Sequence, residues 1–200
     1  WSATNPRSSR VLLGRDNDDL SHCWSIGFVR KVESTFRSDA LAELRREFPA
    51  TGGVLQAYLH RTLDDAALLA GPGSRIRLCK GAYAEPADVA HQTREEVSAA
   101  YVACARTLLA GDGYPMLATH DPEMIAAVGE LARQYGRAPG SYEYQMLFGI
   151  RSDEQRRLAA SGEVVRVYVP VGTDWWGYFV RRLAERPANL LFFLRAVVSR

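Results

Sequence analysis

The stretch that decides the fold runs from Tyr142 to Val169 and reads YEYQMLFGIRSDEQRRLAASGEVVRVYV. Apolar and aromatic residues at 142–147 and at 164–169 predict two strands. Residues 151–160, between them, predict a helix that ends before Gly162. A strand, a helix and a second strand in this order predict a parallel βαβ unit.

The same alternation extends back along the chain to about residue 39. The remaining predicted strands are 54–59, 75–80 and 115–119, and the remaining predicted helices are 39–48, 63–70, 86–109, 122–134 and one that starts near Asp174. A complete (β/α)8 barrel needs eight strands and ~250 residues. The pattern therefore predicts an α/β fold, either a partial barrel or a small open sheet, with five strands.

Composition changes abruptly near residue 39. The first 39 residues contain one alanine, Ala3, whereas the other 161 contain 26. We therefore predict a division into residues 1–38, for which disorder or miscoding is the hypothesis, and residues 39–200. The chain begins with Trp1 rather than methionine, which is expected of a piece of a longer protein.

Overall composition excludes several classes of protein. Hydrophobic residues make up 47% and charged residues 24%, which excludes a disordered or fibrous chain. A net charge of +2 argues against nucleic-acid binding. The chain contains no run of eighteen apolar residues, so no membrane-spanning helix is predicted. No leader segment is recognised either. The cysteines and histidines lack metal-ligand spacing, so no metal site is predicted.

Residues that could carry chemistry follow several strands. Gln56 and Gln145 are amides within apolar strands, and buried amides need a ligand or a backbone partner. Lys80 ends a strand, either as a site cation or as a surface residue. Thr119 and His120 end another strand, and Asp121 before Pro122 is an N-cap candidate.

A second group lies on the last predicted helix. Four residues of this helix are three or four positions apart and therefore share one face: Tyr178, Arg181, Arg182 and Glu185. This face contacts either a ligand or solvent. Two guanidinium groups could bind an anionic substrate as a fork, or the face could be a solvated set of ion pairs. Both interpretations stay open on spacing alone.

Five motifs resemble the proline dehydrogenase family, the FAD-dependent (β/α)8 barrel enzymes that oxidise L-proline. They are VLQAYLHR at 54–61, RLCKGAY at 77–83, ATHD at 118–121, YEYQMLFG at 142–149 and RVYVPVGTDWWGYFVRRLAERPAN at 166–189. The resemblance implies a TIM-barrel type of α/β fold that is incomplete, with about five of eight βα units and the early strands missing. Residues 39–200 would be the C-terminal part of this barrel.

The resemblance also implies roles for individual residues. The implied catalytic residues are Arg77, beside the reactive N5 of the flavin, Tyr83 and Tyr168. The implied substrate-binding residues are Leu147, Tyr168, Tyr178, Arg181, Arg182 and Glu185, with the two arginines on the proline carboxylate. The implied FAD-binding residues are Gln56, Arg77, Lys80, Gly81, Ala82, Thr119, His120 and Gln145. The family's early strands supply a lysine and an aspartate that residues 1–38 do not match.

The implied reaction is oxidation of L-proline to 1-pyrroline-5-carboxylate, the first step of proline catabolism to glutamate. The implied electron acceptor is a quinone, which implies peripheral contact with a membrane. The expected location is cytoplasmic or peripheral to the inner membrane. Two alternatives are an inactive truncated fragment of that enzyme and a flavoenzyme for a related cyclic imino acid.

Overall fold

The computed structural model describes residues 38–49, 51–81 and 85–169. The helices are α1 (Ser38–Glu47), α2 (Thr62–Leu69), α3 (Arg94–Ala110), α4 (Pro122–Gln134) and α5 (Ser152–Ala160). The strands are β1 (Gly53–Gln56), β2 (Arg75–Cys79), β3 (Tyr114–Ala118), β4 (Glu143–Leu147) and β5 (Val165–Tyr168). The predicted helix from Asp174 lies outside the described residues.

The five strands form one parallel sheet in the order β1-β2-β3-β4-β5. This result confirms the α/β prediction. Each strand pairs with the next one in sequence, which is the connectivity expected of successive βα units. Within the described part of the chain, β1 and β5 are the two edges of the sheet.

Helix α3 begins later than the sequence predicts. It starts at Arg94 rather than near Pro86, because Thr93 forms a capping box with Glu96. The preceding residues instead make a turn at Pro86 and a bridge between Ala90 and Leu59. The prediction of a helix over 86–93 was therefore wrong.

Strand β1 ends earlier than predicted, at Gln56 rather than at Leu59. The Leu59 amide turns back to donate to the Gln56 carbonyl, and Thr62 Oγ1 donates to the same oxygen at 2.6 Å. These bonds close the chain into a turn that leads into α2. The other four strands match their predicted bounds within one residue.

The sheet has an apolar face and a polar face, because side chains alternate along a strand. The apolar face forms the core beneath the helices and includes Leu55, Ile76, Leu78, Leu117, Tyr144 and Met146. The polar face, at the alternate positions, includes Gln56, Arg75, Arg77, Tyr114, Glu143, Gln145, Arg166 and Tyr168. The chemistry-bearing residues of β2, β4 and β5 therefore share one face.

Candidate active site

Three residues that are distant in sequence meet on the polar face. Arg77 Nε donates to Gln145 Oε1 at 2.8 Å, and the Tyr168 hydroxyl donates to the same oxygen at 3.0 Å. The Arg77 guanidinium carbon lies 5.5 Å from the centre of the Tyr168 ring, within the range of a cation–π contact. Gln145 is 2% exposed, and its amide finds its partners among neighbouring side chains, whereas a ligand or a backbone group was predicted.

A buried carboxylate lies next to this contact. Glu143 is fully buried, and Arg166 donates to both of its oxygens, from Nε at 2.6 Å and from Nη2 at 2.7 Å. The Tyr114 hydroxyl donates to Oε2 at 3.1 Å, and Gln145 Nε2 donates to Oε1 at 2.6 Å. These residues form a continuous hydrogen-bonded group, the polar-face cluster: Arg77, Tyr114, Glu143, Gln145, Arg166 and Tyr168.

Electrostatics keep Glu143 ionised. Burial alone raises the pKa of the Glu143 carboxyl, but the hydrogen bonds from Arg166 and Gln145 outweigh burial and leave that pKa below its usual value. The carboxylate in turn raises the pKa of Arg166. The polar-face cluster therefore contains a stable anion between cationic and neutral donors.

Lys80 points away from the polar-face cluster. Its ammonium donates to Asp121 Oδ2 and to Ser98 Oγ, both at 2.8 Å. The two charged side chains are 16% and 15% exposed, so the surface interpretation of Lys80 is wrong. Asp121 also caps α4 by accepting from the Glu123 amide, which confirms the N-cap prediction. Lys80 thus ties the end of β2 to α3 and α4.

The pair of Lys80 and Asp121 makes stability depend on pH. Burial alone raises the pKa of Asp121, but hydrogen bonds from Lys80 and the Glu123 amide lower it below the usual value. A carboxyl whose pKa is lower in the folded state stabilises the fold above its unfolded pKa of about 3.9, and that contribution is lost as the pH falls through the folded value.

We therefore expect Asp121→Asn, which keeps a capping side chain, to lower the free energy of unfolding at pH 7 by about 1.5–3 kcal/mol. The difference from wild type shrinks as the pH falls below about 4. Urea unfolding between pH 7 and pH 2.5 measures both effects. Asp153→Asn is the matched control, because that carboxylate is 97% exposed in its pair with Arg156. A difference that does not change with pH would contradict the prediction.

Two further predicted residues lie at the end of β3. Thr119 Oγ1 accepts from the Asp121 amide at 3.1 Å, and Thr119 is buried. His120 Nε2 accepts from the Leu147 amide at 2.8 Å, which places a ring proton on Nδ1. The bond from the Leu147 amide to His120 joins the carboxyl ends of β3 and β4. Leu147 lies beside Tyr168 in the register of β4 and β5.

Gln56 and Gly81 lie at the ends of β1 and β2. Gln56 is half-buried, on the polar face. Gly81 has a φ of +96°, and a Cβ atom there would lie 2.0 Å from Cδ1 of Tyr58. The chain can turn at this point because the residue is glycine. Six predicted site residues lie outside the described residues: Ala82, Tyr83, Tyr178, Arg181, Arg182 and Glu185.

Sequence reasoning missed Glu143 and Arg166 as members of the site, although both lie in the quoted motifs. A signal was present, since each is a charged residue in an otherwise apolar strand. Glu143 lies two positions before Gln145, and Arg166 lies two before Tyr168, so both share the polar face. Arg151 was also missed. It has a φ of 52° and donates to the His120 carbonyl at 3.0 Å.

Comparison with known proteins assigns the chain to a family. The family model described as proline dehydrogenase matches residues 28–195. The chain belongs to the proline dehydrogenase family. The family match begins before residue 39, and proline dehydrogenase 1 of Bacillus subtilis aligns with 95% of this chain. Sequence similarity therefore reaches into the first 38 residues. The domain division near residue 39 stays a prediction.

Curated members of the proline dehydrogenase family are similar over most of the chain. Proline dehydrogenase 1 of Bacillus subtilis is 39% identical over 190 residues, which cover 95% of this chain and 59% of the relative. Proline dehydrogenase of Deinococcus radiodurans is 43% identical over 180 residues, which cover 86% of this chain and 58% of the relative. The chain thus spans somewhat more than half the length of these relatives.

Solved structures show the same fold. A crystal structure of proline utilization A from Bdellovibrio bacteriovorus, inactivated by N-propargylglycine, superposes with a TM-score of 0.65 at 28% identity. The superposition covers 72% of this chain and 18% of that one. This likeness and the five parallel strands with their intervening helices confirm the TIM-barrel type of α/β fold. None of the helices in the described ranges is long and apolar enough to span a membrane.

Proposed function

We propose that this chain oxidises L-proline to 1-pyrroline-5-carboxylate with FAD as cofactor, and that a quinone accepts the electrons. Membership of the proline dehydrogenase family supports the proposal. The observation that carries it is the contact of Arg77, Gln145 and Tyr168 on one face. These residues come from three separate motifs, and parallel α/β folds place their reactive groups at the carboxyl ends of the strands.

The residues present fit an extended ligand such as FAD. The donor set on the polar face of β1, β2 and β4 combines the Arg77 guanidinium with the side-chain amides of Gln56 and Gln145. Gly81 packs against the Tyr58 ring just past the end of β2 and is proposed to contact the ligand through its backbone. The proposed FAD-binding set also includes Lys80, Ala82, Thr119 and His120.

The reaction removes a hydride and a proton from the substrate, leaving a carbon–nitrogen double bond in the ring. Bound FAD supplies the two-electron acceptor. The protein supplies orientation and charge stabilisation. Arg77 stabilises negative charge that develops near it, since its guanidinium is permanently cationic. Gln145 fixes the guanidinium by accepting from Nε.

Substrate binding is proposed for two groups of residues. Tyr168 and Leu147 lie side by side on β5 and β4 and offer an aromatic and an aliphatic wall for the small ring. The other proposed residues are Tyr83, Tyr178, Arg181, Arg182 and Glu185, and the two arginines would bind the carboxylate in a bidentate fork. A quinone acceptor implies peripheral contact with a membrane, which is proposed with it. The proposed location is the cytoplasm or the surface of the inner membrane.

The first test is a visible absorbance spectrum of the purified chain supplied with FAD, before and after anaerobic addition of L-proline. We expect flavin absorbance to stay with the protein after gel filtration and to bleach with L-proline. D-proline is the control, because it carries the same groups in the opposite configuration.

Each other outcome contradicts part of the proposal. Bound flavin that does not bleach with L-proline would contradict the oxidation and support the inactive-fragment alternative. Bleaching by another cyclic imino acid, but not by L-proline, would contradict the substrate. A chain that retains no flavin would contradict the cofactor.

A further inference from the structure

We propose that Glu143 is a positioning residue, which fixes the side-chain amide of Gln145 in the orientation that holds Arg77 and Tyr168 in place. This inference rests on the proposed function, because that function is what makes Arg77 and Tyr168 active-site residues. Glu143 lies at the start of β4, away from the carboxyl ends of the strands. It acts through Gln145.

The hydrogen-bonding chemistry permits one orientation of the Gln145 amide. A carboxylate can only accept, and a guanidinium can only donate. Gln145 Nε2 must therefore face Glu143, 2.6 Å away, and Oε1 must face Arg77 Nε, 2.8 Å away. If the amide were reversed, two acceptors would meet at Glu143 and two donors would meet at Arg77.

Glu143 can do this because it is itself held from several sides. Arg166 binds both carboxylate oxygens, and the Tyr114 hydroxyl binds Oε2. Counting Gln145, four donor groups point at the two oxygens of a fully buried side chain. Networks of this kind restrict side chains to one arrangement when every member is satisfied. The side-chain amide of Gln145 therefore donates to a carboxylate whose own position is fixed.

The substitution Glu143→Gln tests this role with little change in volume. An amide oxygen accepts about two hydrogen bonds, so four donors cannot all be satisfied, and the new NH2 group competes with Arg166 and Gln145. We expect Gln145 to lose its single orientation and Arg77 to lose its fixed acceptor. Glu154→Gln is the matched control, since it removes the same charge from a pair with Arg157 on α5, outside the polar-face cluster.

The first readout needs neither FAD nor substrate. Hydrogen exchange at the Arg77 Nε–H group, followed by NMR on the 200-residue chain, reports the bond to Gln145 directly. We expect this exchange to be at least about tenfold faster in Glu143→Gln than in wild type and unchanged in Glu154→Gln. Equal exchange in wild type and Glu143→Gln would overturn the inference.

The second readout is the rate of flavin reduction by L-proline. We expect a fall of roughly 10- to 100-fold in kcat for Glu143→Gln, because small misplacements of positioning groups cost that much. The KM for L-proline should change much less, since the proposed carboxylate-binding arginines are untouched. A rise in KM with unchanged kcat would overturn the inference.

Two further results keep the tests separate. If wild-type protein is not reduced by L-proline, the proposed function fails, while exchange at Arg77 still decides the role of Glu143. If Glu143→Gln does not fold, the double variant Glu143→Leu with Arg166→Met replaces the buried ion pair by apolar groups, a change that proteins often tolerate. Faster Arg77 exchange in that variant supports the inference, and wild-type exchange overturns it.

Discussion

Replacing Arg77 by methionine is expected to lower the rate of flavin reduction by L-proline by about 100-fold or more. Removal of one preorganised charge-stabilising donor typically costs about 10²- to 10³-fold in rate. Methionine keeps an unbranched apolar stem like that of arginine but carries no charge. The loss also removes the donor that binds Gln145 Oε1. Anaerobic stopped-flow absorbance gives the rate.

Arg75→Met is the control for this prediction. Arg75 lies two residues earlier on the same face of β2, with its guanidinium 4.3 Å from the centre of the Tyr114 ring. The substitution removes the same charge at the amino end of the strand. We expect it to leave the reduction rate close to that of wild type. Equal losses in both variants would show that net charge on the polar face, and not the placement of Arg77, sets the rate.

The second large effect is expected at Gly81, on stability. Alanine at a φ of +96° is strained by about 1–2 kcal/mol. Its methyl group would also collide with the Tyr58 ring, which is buried. Overpacking of this kind costs a further 1–3 kcal/mol, roughly. We expect Gly81→Ala to lower the free energy of unfolding by about 3 kcal/mol in urea titrations.

Gly136→Ala separates the two causes. Gly136 also has a positive φ, +60°, but a Cβ atom there would meet no heavy atom within 4 Å. This variant therefore carries only the backbone strain, about 1 kcal/mol. If Gly81→Ala is no less stable than Gly136→Ala, the Tyr58 ring moves aside freely and the contact at the end of β2 is not rigid.

Local sequence determined most of the fold. Four of the five strands match their predicted bounds within one residue, because alternation of apolar and polar residues is a property of the strand itself. The late start of α3 was missed for a specific reason. Residues 86–93 are compatible with a helix, but Ala90 pairs with Leu59. That long-range contact leaves no local signal, but the capping-box spacing of Thr93 and Glu96 does mark the start of the helix locally.

The sequence by itself determined the parallel α/β order, the family and the bounds of four of the five strands, since these depend on residue types at short spacing. Tertiary structure decided how those residues combine. Arg77 and Gln145 are 68 positions apart, and only the pairing of β2 through β3 to β4 brings them within 2.8 Å. Lys80 turns to Asp121 rather than to the polar face because α3 and α4 supply its partners there. Glu143 stays charged because Arg166, on the neighbouring strand, binds both its oxygens.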